Sequence, residues 1–205
     1  MPPESVAANP RRRNDPQMAD KQASGSPPEM LDRVGRILDA SAVQWATIGA
    51  LAVAYHGFVR ASLDADALIS MRGSGMDLDA LAQLLIRDGF TVKVSMGEDD
   101  DPLGFVVRIL DTEGNQVDLI GGIKRLDPAF FDRALVDEFD GMKLRFASKE
   151  DLIALKVFAG GPKDIEDIKG ILEVQGDAIA KDLALSLCRR FGKAAEELFG
   201  KLLKG

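Results

Sequence analysis

The stretch from Trp45 to Ser70, WATIGALAVAYHGFVRASLDADALIS, constrains the fold most, because it joins two strands through a sharp turn and a short helix. The apolar, partly β-branched residues 43–48 predict a buried strand, and Gly49 ends it where the backbone must turn. Residues 51–55 favour a helix, and Gly57 stands where a left-handed cap would end that helix. The stretch therefore predicts strand, glycine turn, helix and second strand, in that order.

The second of these strands carries two aspartates, Asp64 and Asp66. Alternate residues of a strand project from the same face, and their backbones are about 7 Å apart. Two carboxylates aimed at one place suit a pair of Mg²⁺ ions held about 4 Å apart. The alternative is that both side chains simply form the solvated face of an edge strand.

This stretch also carries a family resemblance. The residues that support it lie close together in the chain and are Gly49, Gly57, Arg60, Ser62, Asp64 and Asp66. Their spacing resembles the signature of the nucleotidyltransferase superfamily that includes polymerase β. Within that superfamily it is similar to the small prokaryotic proteins of the AbiEii toxin and minimal nucleotidyltransferase type. The resemblance continues to about Leu172.

The resemblance implies a nucleotide site at the glycine turn. Gly49 and the N-terminus of the following helix would hold the nucleotide phosphates, for which backbone N–H groups are physically suited. Ala50 stands where the family usually has glycine or serine, so it offers only its backbone N–H. Arg60 and Ser62 are expected at the same nucleotide site, and the two aspartates that follow are expected to bind the metal.

A third carboxylate comes from a later predicted strand. Residues 105–110 and 115–120 favour two strands joined by a hairpin. Val117 and Leu119 alternate with Asp118, so Asp118 points away from them and can lie beside the first two aspartates in a mixed sheet. A half-buried carboxylate is costly unless a cation compensates its charge. The resemblance implies that Asp118 binds the catalytic metal and acts as general base.

A helix after residue 148 supplies the last candidate. Ser148 and Asp151 form a capping box at its start. The sequence from Ser148 to Lys156 matches a family helix whose lysine reaches the nucleotide phosphates, which implies this role for Lys156. An ordinary surface lysine is the alternative reading. Before this helix, residues 127–138 predict a further helix and residues 142–147 a strand.

Two other reactive side chains are assigned structural roles. His56 is the only histidine, which excludes a zinc site built on several histidines. It is expected to pack or to form a hydrogen bond at a helix end. Cys188 is the only cysteine and lies in an apolar helical pattern, so we expect a buried thiol and no internal disulfide.

The sequence as a whole predicts an α+β protein: a mixed β-sheet nucleotidyltransferase core flanked by helices, with a C-terminal helical segment. Residues 1–28 are expected to be a disordered tail, residues 29–147 the core, and residues 148–205 a helical region packed on it. The net charge of −7 argues against nonspecific nucleic-acid binding over the whole surface. No apolar run could span a membrane, so a cytoplasmic location is expected.

The expected function is Mg²⁺-dependent transfer of a nucleoside monophosphate from a nucleoside triphosphate to a hydroxyl of RNA or protein. The resemblance also implies a role in a toxin–antitoxin system with a cognate partner protein. One alternative is a binding module that keeps the fold but sequesters a partner. Another is an antibiotic nucleotidyltransferase, for which the acidic residues 98–101 are a faint hint of a site for a cationic sugar.

Overall fold

The computed structural model describes residues 25–59 and 64–204. These residues form one mixed seven-stranded sheet with helices around it, which confirms the predicted α+β fold. The strands, numbered in chain order, are Gln44–Ile48 (β1), Asp64–Ser70 (β2), Thr91–Met96 (β3), Phe105–Leu110 (β4), Gln116–Gly121 (β5), Leu135–Phe139 (β6) and Met142–Phe146 (β7). The α-helices are Pro27–Ala40 (α1), Gly49–Tyr55 (α2), Leu78–Arg87 (α3), Lys149–Ala159 (α4), Pro162–Gln175 (α5), Lys181–Phe191 (α6) and Lys193–Leu202 (α7).

Helix α1 begins within the segment that the sequence assigned to the tail. Ser26 caps it: the Ser26 hydroxyl accepts from the Glu29 N–H, and the Glu29 carboxylate accepts from the Ser26 N–H at 2.7 Å. Pro27 occupies the first turn, where its missing N–H costs nothing. Of the tail expected for residues 1–28, residues 1–24 lie outside the described residues.

The strand order is β3-β4-β5-β2-β1-β7-β6. Strand β2 lies between β1, with which it is antiparallel, and β5, with which it is parallel. The β3–β4, β4–β5 and β6–β7 pairs are antiparallel, and β1 and β7 are parallel. This order places the two aspartate-bearing strands, β2 and β5, side by side at the centre of the sheet.

One face of the sheet is covered by helices. Paired positions on its central strands are apolar or hydroxyl-bearing and almost fully buried: Trp45, Thr47, Ala65, Ala67, Val107, Ile109, Val117 and Leu119. Helix α1 contacts this face so closely that a side chain on Gly35 would overlap the Trp45 ring. Because strand residues alternate between faces, the aspartates of β2 and β5 must project from the opposite face.

The helix predicted for residues 127–138 is wrong, because residues 128–133 form turns and the second half forms a strand. Residues 135–139 form strand β6, which pairs with β7. Asp140 and Gly141 join the two strands, both with positive φ (53° and 79°). An Asp-Gly pair of this conformation makes the two-residue turn that matches the twist of paired strands. The hairpin therefore overrides the helical pattern.

The C-terminal helices pack on one another and on the core, with α4 contacting α5, α6 and α2. The predicted cap of α4 is confirmed, since the Ser148 hydroxyl accepts from the Asp151 N–H at 3.1 Å. Arg133 donates to both Asp151 oxygens at 2.7 Å and ties the cap to the segment before β6. In the described part of the chain, no helix has the length and apolar character needed to cross a membrane.

Candidate active site

The three aspartates meet on the face of the sheet opposite to helix α1. Asp64 and Asp66 are two residues apart on β2, and Asp66 stands directly opposite Asp118 in the β2–β5 register. Neighbouring strands are about 4.8 Å apart, so the two backbones are close and their side chains share a face. Asp64 and Asp66 are half-buried, and Asp118 is 8% exposed. The structure thus places these three side chains on one face of two neighbouring strands.

The glycine turn lies against this group. Gly49 has a φ of +63°, in the left-handed region that favours glycine. A methyl group added to Gly49 would lie 3.0 Å from Asp66 Cγ and 3.1 Å from its Cβ, and closer still to its Oδ2. Only a residue without a side chain allows this approach. Ala50 follows in the first turn of α2, where it is buried.

Asp118 is held by a residue that the sequence analysis did not identify. Arg108 Nε donates to Asp118 Oδ1 at 3.0 Å, and Arg108 Nη2 donates to Asp118 Oδ2 at 2.8 Å. Gln116 Nε2 adds a third hydrogen bond, to Oδ2 at 3.2 Å. The hydrogen bond and charge of Asp118 raise the pKa of Arg108, with smaller contributions from the charges of Asp64 and Asp66. Arg108 therefore interacts with the whole carboxylate group.

The donor types at this face are those that Mg²⁺ prefers, namely carboxylate oxygens converging from neighbouring strands. Within residues 25–59 and 64–204, however, no three Asp, Glu, His or Cys side chains are placed so that they could hold a metal ion directly. Asp118 gives both oxygens to Arg108. The three aspartates therefore have the right chemistry for a metal ion and lie on the same face of the sheet. The third, Asp118, is paired with Arg108.

Lys156 lies in a buried ion cluster. Its side chain is 7% exposed, and Nζ is 2.6 Å from Asp167 Oδ2 and 3.1 Å from Asp164 Oδ1. Asp167 is fully buried, so its charge needs a cation beside it. The surface-lysine alternative is therefore not what the structure shows. Lys156 joins α4 to α5 through two carboxylates of α5.

Helix α5 also supports the chain that leads into β2. Gly170 packs against Phe58 so closely that a side chain there would overlap the ring. Gln175 Nε2 donates to the His56 carbonyl at 2.8 Å. Arg60 and Ser62, expected at the nucleotide site, lie outside the described residues. Residues 56 and 58, which precede this segment, are thus held by α5.

His56 and Cys188 are structural, as expected. The His56 ring lies with Nε2 2.9 Å from the Ala147 carbonyl, to which it donates. Burial lowers the pKa of His56, so the ring is neutral near pH 7. Burial raises the pKa of Cys188 to about 12, which keeps it a thiol and makes it a poor nucleophile.

Solved structures share this architecture. An antigenic nucleotidyltransferase-like protein from Paracoccidioides brasiliensis superposes with a TM-score of 0.53 at 14% identity, over 87% of this chain and 92% of that chain. ANT(2″)-Ia in complex with adenylyl-2″-tobramycin gives a TM-score of 0.53 at 18% identity, over 80% of this chain and 97% of that chain. At such identities the likeness shows the fold. Among curated proteins, no sequence matches significantly.

A protein-family model matches residues 28–201, which is most of the chain. This match and the shared fold confirm the broader part of the predicted resemblance, the nucleotidyltransferase superfamily. The match includes both aspartate-bearing strands and the C-terminal helices through most of α7. The chain belongs to the family described as "Nucleotidyl transferase of unknown function (DUF2204)".

Proposed function

We propose that this protein moves a nucleoside monophosphate from a nucleoside triphosphate to an acceptor hydroxyl, with release of pyrophosphate and with a requirement for Mg²⁺. The observation that supports this most directly is the meeting of Asp64, Asp66 and Asp118 on one face, beside the Gly49 turn. Three acidic side chains at one place are unfavourable for a merely structural surface, because like charges repel. Arg108 contributes one positive charge to this group, and a bound metal ion would contribute two more.

The proposed roles follow from position. Asp64, Asp66 and Asp118 would hold Mg²⁺, which when bound supplies positive charge against the triphosphate. Gly49, whose missing side chain lets the turn approach Asp66, is proposed to contact the phosphates through its backbone N–H. The backbone N–H of Ala50, together with Arg60 and Ser62, is proposed to contact the phosphates. Their role is positioning, which accounts for much of the acceleration of phosphoryl transfer.

The bond changes are those of an in-line displacement. The acceptor oxygen forms a bond to the α-phosphorus, and the bond from that phosphorus to the bridging oxygen of the β-phosphate breaks. Pyrophosphate leaves with the bonding electrons. The proton of the acceptor hydroxyl passes to the carboxylate of Asp118, which acts as general base. A free carboxylate oxygen is needed for this step, so Arg108 must release at least one of the two.

Lys156 is proposed to contact the phosphates, as the family resemblance implies. Its ammonium is already paired with Asp164 and Asp167. Asp164 is the more exposed partner, at 26% against 0% for Asp167. A phosphate oxygen would therefore replace Asp164, while Asp167 would keep its ion pair.

The acceptor is proposed to be a hydroxyl of RNA or of a protein. This follows the similarity of the glycine–arginine–aspartate signature to the AbiEii toxin and minimal nucleotidyltransferase type. The same similarity supports a toxin–antitoxin role with a cognate partner protein. The structural neighbour bound to adenylyl-2″-tobramycin makes an antibiotic hydroxyl the second acceptor class to be tested.

The test measures where the α-phosphate and the γ-phosphate of a labelled nucleoside triphosphate end up. The protein is incubated with Mg²⁺, with triphosphates labelled at the α- or the γ-phosphate, and with total RNA, purified candidate partners or tobramycin. Nucleotidyl transfer predicts that the α-label appears on one acceptor class and that the γ-label appears only in pyrophosphate. Chelation of Mg²⁺ should abolish both. Transfer of the γ-label instead would refute the proposal, because it would indicate a kinase.

A binding module that sequesters a partner is the second candidate. The observation that favours it is the ion pair between Arg108 and Asp118, which leaves the third carboxylate occupied. This candidate predicts that the same assay yields no labelled product on any acceptor. A separate titration should still show that the protein binds the nucleotide. A complex between the protein and its cognate partner that forms equally well without nucleotide would support it further.

A further inference from the structure

Arg108 belongs to a row of charged side chains that crosses the sheet. The strand register aligns Lys93 of β3, Arg108 of β4, Asp118 of β5 and Asp66 of β2. Paired positions share a face, so two cationic side chains stand beside the carboxylate group on its β3 side. Of the two, Arg108 contacts Asp118, and its guanidinium fits both carboxylate oxygens.

This contact satisfies Asp118 as a metal ion would. The Asp118 side chain is 11% exposed, so water alone compensates little of its charge. The Arg108 side chain is 51% exposed and reaches Asp118 from the neighbouring strand. A half-exposed arginine can move away at modest cost, because its own charge is readily solvated once released. The pair is therefore strong enough to hold the carboxylate and weak enough to open.

We propose that Arg108 is a positioning residue that occupies Asp118 in the metal-free protein, and that a divalent cation gains its third carboxylate only by displacing Arg108. The inference rests on the proposed function, since it concerns the same metal site. It explains why three carboxylates of suitable type lie on one face without forming a site that could hold an ion directly. On this proposal, the Asp118 carboxylate binds either the Arg108 guanidinium or a metal ion, but not both at once.

The inference predicts that a substitution beside the metal site increases the affinity for the metal. Removing Arg108 should strengthen the binding of a divalent cation, because the cation no longer competes for Asp118. Because the bidentate pair is half-exposed, its loss should raise the affinity for the cation by about fivefold. Lys93→Gln removes the same charge from the same row without touching Asp118, and it should change the affinity less than about twofold, because exposed charges at that distance are screened.

The experiment measures Mn²⁺ affinity by electron paramagnetic resonance of the free ion, at about 150 mM salt and without nucleotide, in the full-length protein. Wild type, Arg108→Gln, Arg108→Lys and Lys93→Gln are compared, with Trp45 fluorescence to verify folding. The proposal expects tighter binding in Arg108→Gln and a smaller gain in Arg108→Lys, whose ammonium cannot bind both oxygens. If Arg108→Gln does not fold, Arg108→Lys decides the outcome.

The proposal is overturned if removal of Arg108 leaves Mn²⁺ affinity unchanged or lowers it. It is overturned equally if Lys93→Gln gives the same gain, since the effect would then be general charge, or if none of the proteins binds Mn²⁺. This readout involves neither nucleotide nor acceptor. Failure of the proposed function shows instead as absent transfer of the α-label, whatever the order of Mn²⁺ affinities.

Discussion

Substituting Gly49 by alanine tests the contact between the glycine turn and the carboxylates. A non-glycine residue at a φ of +63° costs about 1–2 kcal/mol. The added methyl group would also overlap Asp66 Oδ2 and lie 3.0 Å from its Cγ, and overpacking of this kind costs about 1–3 kcal/mol. We expect Gly49→Ala to lower the free energy of unfolding by about 3 kcal/mol, measured by urea titration with the buried Trp45 as fluorophore.

Gly75 supplies the matched control. Its φ is +69°, and a methyl group there would have no neighbour within 4 Å. Gly75→Ala should therefore cost only the conformational part, about 1–2 kcal/mol. In an Asp66→Ala background the overlapping oxygen is gone, so the penalty of Gly49→Ala should fall towards that of Gly75→Ala. Equal penalties for Gly49→Ala with and without the Asp66 carboxylate would refute the reasoning.

Three further predictions concern buried polar groups. Asp167→Asn should destabilise the protein by roughly 3 kcal/mol in urea unfolding, because Lys156 loses its nearest carboxylate in a buried site, whereas the exposed control Asp177→Asn should cost little. Burial lowers the pKa of His56, so the unfolded state binds more protons and stability should fall as pH decreases below about 6.5; His56→Gln should flatten this slope, and an unchanged slope would contradict the assignment. With a pKa of about 12, Cys188 should not react with a thiol reagent at pH 8 until the protein is unfolded, and rapid labelling of the native protein would contradict its burial.

The shared face of the three aspartates could be predicted because it depends on the strand period alone. Asp64 and Asp66 are separated by one residue, and Asp118 alternates with the buried Val117 and Leu119. A period of two fixes the face of each side chain once the strand is assigned. The parallel pairing of β2 with β5 then places Asp66 directly opposite Asp118.

The partner of Asp118 could not be predicted, because it depends on the register of the β4–β5 hairpin. The sequence suggested that the second strand starts at Asn115, whereas Asn115 belongs to the loop and β5 starts at Gln116. Asp111 Oδ1 accepts from the N–H groups of Glu113 and Asn115 and sets this loop. If β5 were shifted by one residue relative to β4, Arg108 would stand opposite Val117 and not opposite Asp118. Local side-chain hydrogen bonds therefore decide which residue meets Asp118.

The burial of Lys156 was likewise hidden from the sequence, since it results from packing between α4 and α5. The helical pattern shows where the lysine lies on α4 but not which helix will cover it. In contrast, the β6–β7 hairpin carried a readable signal: Asp140-Gly141 is a strong two-residue turn pair, and it should have outweighed the helical pattern of residues 135–138.

The most direct test of the account compares the rate of α-label transfer in single carboxylate variants. Asp64→Asn, Asp66→Asn and Asp118→Asn keep the shape of each side chain and remove its charge, while Asp132→Asn changes an exposed aspartate outside the cluster. The account predicts that each of the first three loses at least about a hundredfold in rate with an unchanged fold, and that Asp132→Asn stays close to wild type. Wild-type transfer by Asp66→Asn would contradict the central claim that nucleotidyl transfer takes place at these carboxylates.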